Sequence, residues 1–360
     1  MTAPLNEEMP PADAAVRAPI DLRSDTVTHP TPAMYERMRN AALGDDGLDG
    51  DPTARALEDL AARTLGKEAG LYVPTATMGN LLAVLTQAQR QGQVVMEASA
   101  HMFLTERGGA TLSGTAYLGV AGQDGAMDLA ALAAALTARG ALRTELVCME
   151  TTHVNAGGAV LPLAHMQAVH GLAREAGAQV HVDGARIFNA AVALEVPSAT
   201  VAAHADTVSV CLSKGLSAPA GAVLVGPAPV IARARSLRKM LGGTQRQIGV
   251  LAATGLEAIE SMPQRLAQDH AMARQLHAAL QDLRPGQVRL TAPATNILFA
   301  ELAASVPDSG AWARAMARHG VLVRPWGPRR IRLVTHRHIS AGCIATAASA
   351  FGQVARDLLG

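Results

Sequence analysis

Short apolar runs and longer amphipathic stretches alternate along most of the chain. Runs of strand length fall at 71–73, 93–96, 116–120, 146–150, 179–183, 205–212 and 222–226. Stretches of helical length lie near 33–40, 54–65, 81–91, 129–139, 166–176 and 247–260. Strands spaced by helices predict βα units, a mostly parallel sheet and a functional site at the C-terminal strand ends. Beyond Pro263 the pattern changes. A helix over 264–283, strands near 296–300, 321–323 and 331–334, and a last helix from about residue 340 predict a compact α+β unit. At 360 residues, two domains are expected. The division reads as a tail at 1–20, a large domain at 21–262 and a small one at 263–360. Thr53 is read as the cap of the helix that starts at Ala54.

Three of the strand ends carry chemistry. The run 205–212 ends in Ser213-Lys214-Gly215, a corner that delivers a lysine to the lip of a buried strand. Of the 31 basic residues 28 are Arg, and only Lys67, Lys214 and Lys239 are Lys. A guanidinium never deprotonates, so an amine that attacks a carbonyl has to be lysine. Lys67 and Lys239 sit in surface-like contexts, which leaves Lys214. The run 179–183 ends in Asp183. Pro74-Thr75-Ala76-Thr77 leads from a strand into a helix, where free N–H groups, the helix dipole and the Thr77 hydroxyl make an anion site. His101 lies just beyond another strand end, and His153 lies in a loop after 146–150. An amine, an acid and a phosphate cradle together suit pyridoxal phosphate, whose aldehyde, ring nitrogen and phosphate need those three partners.

Composition narrows the classes. With 49 % hydrophobic and 17 % charged residues the chain reads as globular. A net charge of +1 and 2 % aromatics argue against nucleic-acid binding. No apolar run reaches the length of a membrane span, and the first twenty residues lack an apolar signal-like segment. Three cysteines in mostly apolar runs suit a reducing cytoplasm. No metal site is expected. The histidine pairs 165/170 and 336/338 lack zinc-site partners, and the Gly/Asp-rich loop 44–52 lacks the terminal Glu of a calcium loop. Neither a Gly-x-Gly-x-x-Gly nor a Gly-x-Ser-x-Gly signature is present.

Eight segments, in order, resemble the low-specificity L-threonine aldolases, pyridoxal-phosphate enzymes of the aspartate-aminotransferase fold (fold type I). They are DLRSDTVT (21–28), GDD…GDPT (44–53), PTATMGN (74–80), AHMFLTERGG (100–109), HVDGARIFNA (181–190), CLSKGLSAPAG (211–221), RKMLGGTQRQ (238–247) and IRLVTH (331–336). The resemblance implies a seven-stranded α/β large domain, a small C-terminal domain and a homotetramer of two dimers with active sites at the dimer interface. It implies retro-aldol cleavage of β-hydroxy-α-amino acids to glycine and an aldehyde. Lys214 would carry the cofactor and Asp183 would pair with its ring nitrogen. Ala76, Thr77, Ser213 and Arg246, the last from the partner subunit, would hold the phosphate. Ser24, Arg186 and Arg332 would grip the substrate carboxylate. His101 would stack on the ring and help place the β-hydroxyl, with His153 as a weaker candidate base.

Four positions depart from the family pattern. Ala76 replaces a turn glycine, so its φ has to be negative or strained. Thr151 and Val154 replace two asparagines of the second active-site loop, and Leu48 stands where many relatives carry Tyr. Another fold type I enzyme, such as a β-eliminating lyase or an aminotransferase, and a non-catalytic cofactor binder remain as alternative readings.

Overall fold

The structure is a computed structural model that describes residues 18–138 and 142–359. Most of the expected tail, residues 1–17, lies outside the described residues, as does residue 139 of the expected helix 129–139. The central sheet has seven strands: β1 (Ala69–Val73), β2 (Gln93–Glu97), β3 (Ala116–Val120), β4 (Thr144–Glu150), β5 (Gln179–Asp183), β6 (Thr207–Cys211) and β7 (Ala222–Gly226). Their order across the sheet is β1-β7-β6-β5-β4-β2-β3. Only β7 runs antiparallel, pairing with β1 on one side and β6 on the other. The other neighbours are parallel, in register Cys148↔His181 and Val182↔Val208. Strands covered by helices on both faces can be apolar throughout, and every residue of β2, β6 and β7 is buried. The architecture is the expected fold type I α/β arrangement.

A second sheet, β8 (Val288–Leu290), β9 (Ile297–Leu302), β10 (Arg324–Pro325) and β11 (Arg330–Val334), is antiparallel in the order β8-β9-β11-β10. The Leu266–Leu280 and Ala341–Leu359 helices pack on it around Trp312, Phe351 and Leu333. Leu22 belongs to this second core, because Ile20–Asp21 pairs in parallel with Val321–Leu322. Residues 20–22, at the edge of the expected tail, therefore lie inside the C-terminal unit.

Local differences from the expected elements have simple causes. The helix expected over 81–91 spans Ala76–Gln87, because Thr75 caps it by accepting from the Met78 N–H (3.1 Å). Gly79, an apparent breaker, is needed inside it: a Cβ there would lie 2.7 Å from Ser209 Oγ on β6. The preceding helix spans Pro52–Thr64 and is capped by Asp51, not Thr53, since Pro52 occupies the first helical position. The Ile187–Leu194 helix and strand β8 carry no pattern signal strong enough to expect them.

Candidate active site

The C-terminal ends of β4, β5 and β6, the loop before the Ala76–Gln87 helix and the edge of the second sheet enclose a cavity of ≈ 510 Å³. Ser24, Ala76, Thr77 and His101 line it, as do Asp183, Arg186, Ser213, Lys214 and Arg332. Two of the expected site residues, His153 and Arg246, do not.

Lys214 lies three residues past the end of β6. Its carbonyl accepts from Thr28 Oγ1 (2.7 Å), which fixes the corner, and among the described residues no hydrogen bond or ion pair ties down its amine. Asp183 closes β5 and is buried. Its Oδ1 accepts from the Ala185 N–H (3.1 Å) and its Oδ2 from Asn80 Nδ2 (3.1 Å). Ala76 is the first residue of its helix and has no positive φ, so the replacement of glycine is accommodated without strain. In that first turn the N–H groups of Ala76 and Thr77 have no intrahelical acceptor. Thr77 Oγ1 donates to Glu106 Oε1 (3.0 Å).

Beside the cradle, His101 is 35 % exposed and its Nδ1 lies 2.9 Å from Glu106 Oε1. That bond raises the His101 pKa against the pull of burial. Burial alone would raise Glu106, but the His101 bond and the Asn80 and Thr77 donors outweigh it and hold the carboxyl below its ordinary value. Heteroatoms of His101, Glu106 and Asp183 lie within 4.8 Å of one another, a cluster that a cation could also use. The Asn80 and Thr77 donors already satisfy its oxygens.

The substrate side of the cavity is cationic. Arg332 is 3 % exposed and lies with its guanidinium 4.2 Å from the centre of the Trp326 ring. Nη2 donates to the Arg23 carbonyl (2.9 Å), while the buried Nε has no partner. Burial, Arg186 and Arg324 push the guanidinium down to about 9, the signature of a buried cation short of an anion. Arg186 behaves differently from the expectation. Its Nε and Nη2 donate to Asp25 at 2.7 and 2.6 Å, so the fork is committed to a buried carboxylate and only Nη1 remains for the cavity. Ser24 Oγ accepts from the Thr26 N–H (3.3 Å) at the same wall.

His153 is fully buried. Nδ1 accepts from the Ala156 N–H (3.2 Å) and Nε2 lies 3.1 Å from Glu97 Oε2. Both nitrogens are engaged away from the cavity, so geometry makes His153 a brace for its loop. Arg246 is 74 % exposed, 3.5 Å from Asp45 on the loop 44–50. It faces outward, off the cavity. Leu48, on the same loop, is 77 % exposed and also lies off the cavity.

Several site residues escaped the sequence reading. Asn80, Glu106, Glu150, Asp25, Trp326 and Arg324 all contact the cavity or its first supports. Apart from Trp326 their types are common, and their partners lie far away in the chain. The one available signal was that Asn80, Glu106 and Asp25 fall within the matching segments.

Residues 21–305 match the beta-eliminating lyase family. Low-specificity L-threonine aldolase 1 of Arabidopsis thaliana is 40% identical over 342 residues, covering 93% of this chain and 96% of that protein. The low specificity L-threonine aldolase of Escherichia coli K12 is 38% identical over 334 residues, covering 92% and 97%. Among solved structures, the Leishmania major threonine aldolase superposes with a TM-score of 0.77 at 18% identity, covering 93% of this chain and 100% of that one. A Sphingomonas wittichii serine palmitoyltransferase gives 0.75 at 18% identity, covering 94% and 88%. These last two show the shared fold. A lysine-bearing corner, a buried acid and a helix-capped cradle in one cleft, on a chain this similar, leave one family: the protein belongs to the beta-eliminating lyases and, among them, to the low-specificity L-threonine aldolases.

Proposed function

We propose that the protein is a pyridoxal-phosphate enzyme that cleaves L-threonine, L-allo-threonine and related β-hydroxy-α-amino acids to glycine and an aldehyde. The observation that carries this reading is the convergence of the untethered Lys214 amine, the Asp183 carboxylate and the Ala76–Gln87 helix start on one cleft that the His101–Glu106 pair and Arg332 also line.

The residues fit the cofactor. Lys214 would hold it covalently, Asp183 would face its ring nitrogen, and Ala76, Thr77 and Ser213 would hold its phosphate, with Arg246 reaching across from a second subunit. When bound, pyridoxal phosphate supplies an electron sink for the pair released as Cα–Cβ opens. The chain's own groups do the rest. Arg332 offers its unpartnered Nε to the substrate carboxylate, and Arg186 adds one nitrogen from the Asp25-anchored fork. Ser24 supports the same carboxylate. With Nδ1 tied to Glu106, His101 has Nε2 left to take the β-hydroxyl proton and return it. His153 steadies the adjoining loop, and Glu150 links that loop to the His101 backbone by accepting its N–H (2.6 Å).

We read residues 21–262 as the cofactor-carrying domain and 263–360 as the smaller one, a division supported by two separate cores, with Leu22 crossing into the second and Leu266 into the first. A homotetramer with sites at the dimer interface is supported by an apolar, Arg246-bearing surface. Leu48 and Met240 are 77 % and 80 % exposed, and the Asp46 N–H donates to the Arg246 carbonyl (3.0 Å). No helix among the described residues is long and apolar enough to cross a membrane. Free Cys148, Cys211 and Cys343 support a cytoplasmic setting.

The test is the formation of acetaldehyde and glycine from L-threonine and L-allo-threonine by the purified protein with added pyridoxal phosphate. Absence of acetaldehyde, with pyruvate and ammonia from L-serine instead, would replace this reading by β-elimination.

A further inference from the structure

A file of hydrogen bonds runs between the Ala76–Gln87 helix and strands β5 and β6 and ends at the cleft. Gln87 Nε2 donates to Thr207 Oγ1 (2.8 Å), which lies 2.9 Å from His181 Nδ1. His181 Nε2 lies 3.1 Å from Asn80 Oδ1. Asn80 Nδ2 then donates twice, to Asp183 Oδ2 (3.1 Å) and to Glu106 Oε2 (3.2 Å). Asn80, His181 and Thr207 are all buried.

The donor directions follow from the cleft end. Carboxylate oxygens only accept, so the Asn80 amide nitrogen has to face the two acids and its carbonyl has to face His181. Nε2 of His181 therefore carries the hydrogen. Burial pushes this imidazole down to about 4, so at neutral pH it is uncharged and Nδ1 is an acceptor for the Thr207 hydroxyl. Every member then donates toward the cleft, and Gln87 Nε2 is fixed in the same sense because it also donates to the Ala83 carbonyl (3.1 Å), which only accepts.

We propose that Asn80, locked by His181, is a positioning residue that holds the Asp183 and Glu106 side chains next to one another, facing the cleft. One amide thus serves two tasks, the acid that faces the cofactor ring and the acid that orients His101. What those two acids do rests on the proposed function; the lock itself does not. An aspartate at position 80 would add a third negative group to the pair, and an alanine would leave both oxygens short of a donor.

The first test needs no cofactor. Nitrogen-15 NMR of the full-length chain without pyridoxal phosphate, with His181→Gln for assignment, should show His181 as the neutral Nε2–H tautomer from about pH 5.5 to 8.5. A protonated ring or the Nδ1–H tautomer would overturn the lock. In Asn80→Ala the His101 ring should titrate at a higher pH, because Glu106 has lost a competing donor. In the loaded enzyme, Asn80→Ala should lower kcat roughly 10- to 100-fold with little change in the amino-acid KM, and weaken pyridoxal phosphate binding roughly 10-fold. His181→Leu should copy it, and His181→Gln, which keeps an N–H donor, should recover most of the loss. If Asn80→Ala leaves the His101 titration, cofactor affinity and kcat all within about 2-fold of the parent, the proposal is wrong. If Asn80→Ala does not fold, His181→Leu and the tautomer measurement decide the question. A parent that binds no pyridoxal phosphate would sink the proposed function, while the His181 tautomer and the His101 titration would still decide the lock.

Discussion

Glu106 governs His101 twice over, by fixing Nδ1 at 2.9 Å and by raising the affinity of the ring for a proton. A base works only when deprotonated, so kcat/KM should rise with pH through a midpoint above the ordinary histidine value of about 6.5. Glu106→Gln removes the charge that favours the imidazolium, so its midpoint should move down and activity at low pH should be better retained. A pH profile of acetaldehyde release with an unmoved acid limb would remove Glu106 from this role. The lysines give a second residue-scale expectation. Lys67 Nζ is held by the Ala205 carbonyl (2.5 Å) and Lys239 lies exposed on the Ala228–Met240 helix, so neither faces the cleft. Borohydride reduction of the protein loaded with pyridoxal phosphate, followed by peptide mapping, should label Lys214 alone.

At the scale of elements, the cleft depends on how closely the Ala76–Gln87 helix lies on the sheet. Gly79 sets that approach, and Ser209 Oγ beneath it is buried without a partner. Alanine is the better helix former by about 1 kcal/mol, yet Gly79→Ala should destabilise by roughly 1–3 kcal/mol because the added methyl meets Ser209 Oγ. Ser209→Ala removes both the obstacle and an unsatisfied hydroxyl, so it should be neutral or stabilising and should rescue Gly79→Ala. Urea unfolding of the two single variants and the double variant checks this, and additive costs would mean that the pair is not in contact. The same helix shows what the chain reveals by itself. Strands β2, β6 and β7 were legible because burial on both faces leaves an unbroken apolar run. Lys214, Asp183 and Thr77 were legible because strand and helix ends present side chains at known places. The helix start was not, since the expected helix began at 81 while the Thr75 cap and the contact of Gly79 with Ser209 start it at Ala76. Asn80, Trp326 and Arg324 act through partners in other segments, which no local pattern exposes. His153 shows the opposite limit, since its motif pointed to chemistry and its burial points to bracing.

Over the whole molecule, Asp25 is the node that joins the two units at the cleft. It sits on the loop that follows Leu22, takes both Arg186 donors from the end of β5, and accepts from Asn296 Nδ2 (3.3 Å) beside β9. Burial by itself would raise this carboxyl, but Arg186, Lys214 and Asn296 outweigh it and hold it well below the usual range. The sign of the linkage follows. A depressed carboxyl contributes stability above its unfolded value of about 4, and that contribution is lost as the pH falls toward the folded value. Asp25→Asn should therefore cost about 3–5 kcal/mol at neutral pH, because it leaves the Arg186 cation buried without a counter-ion. It should also flatten the acid side of the stability curve, since the group that titrated there is gone. Arg186 would be free to swing toward the cleft, so the amino-acid KM should change along with stability. A variant less than about 1 kcal/mol weaker in urea at pH 7, with the same acid dependence as the parent, would show that Asp25 is not the node the geometry describes.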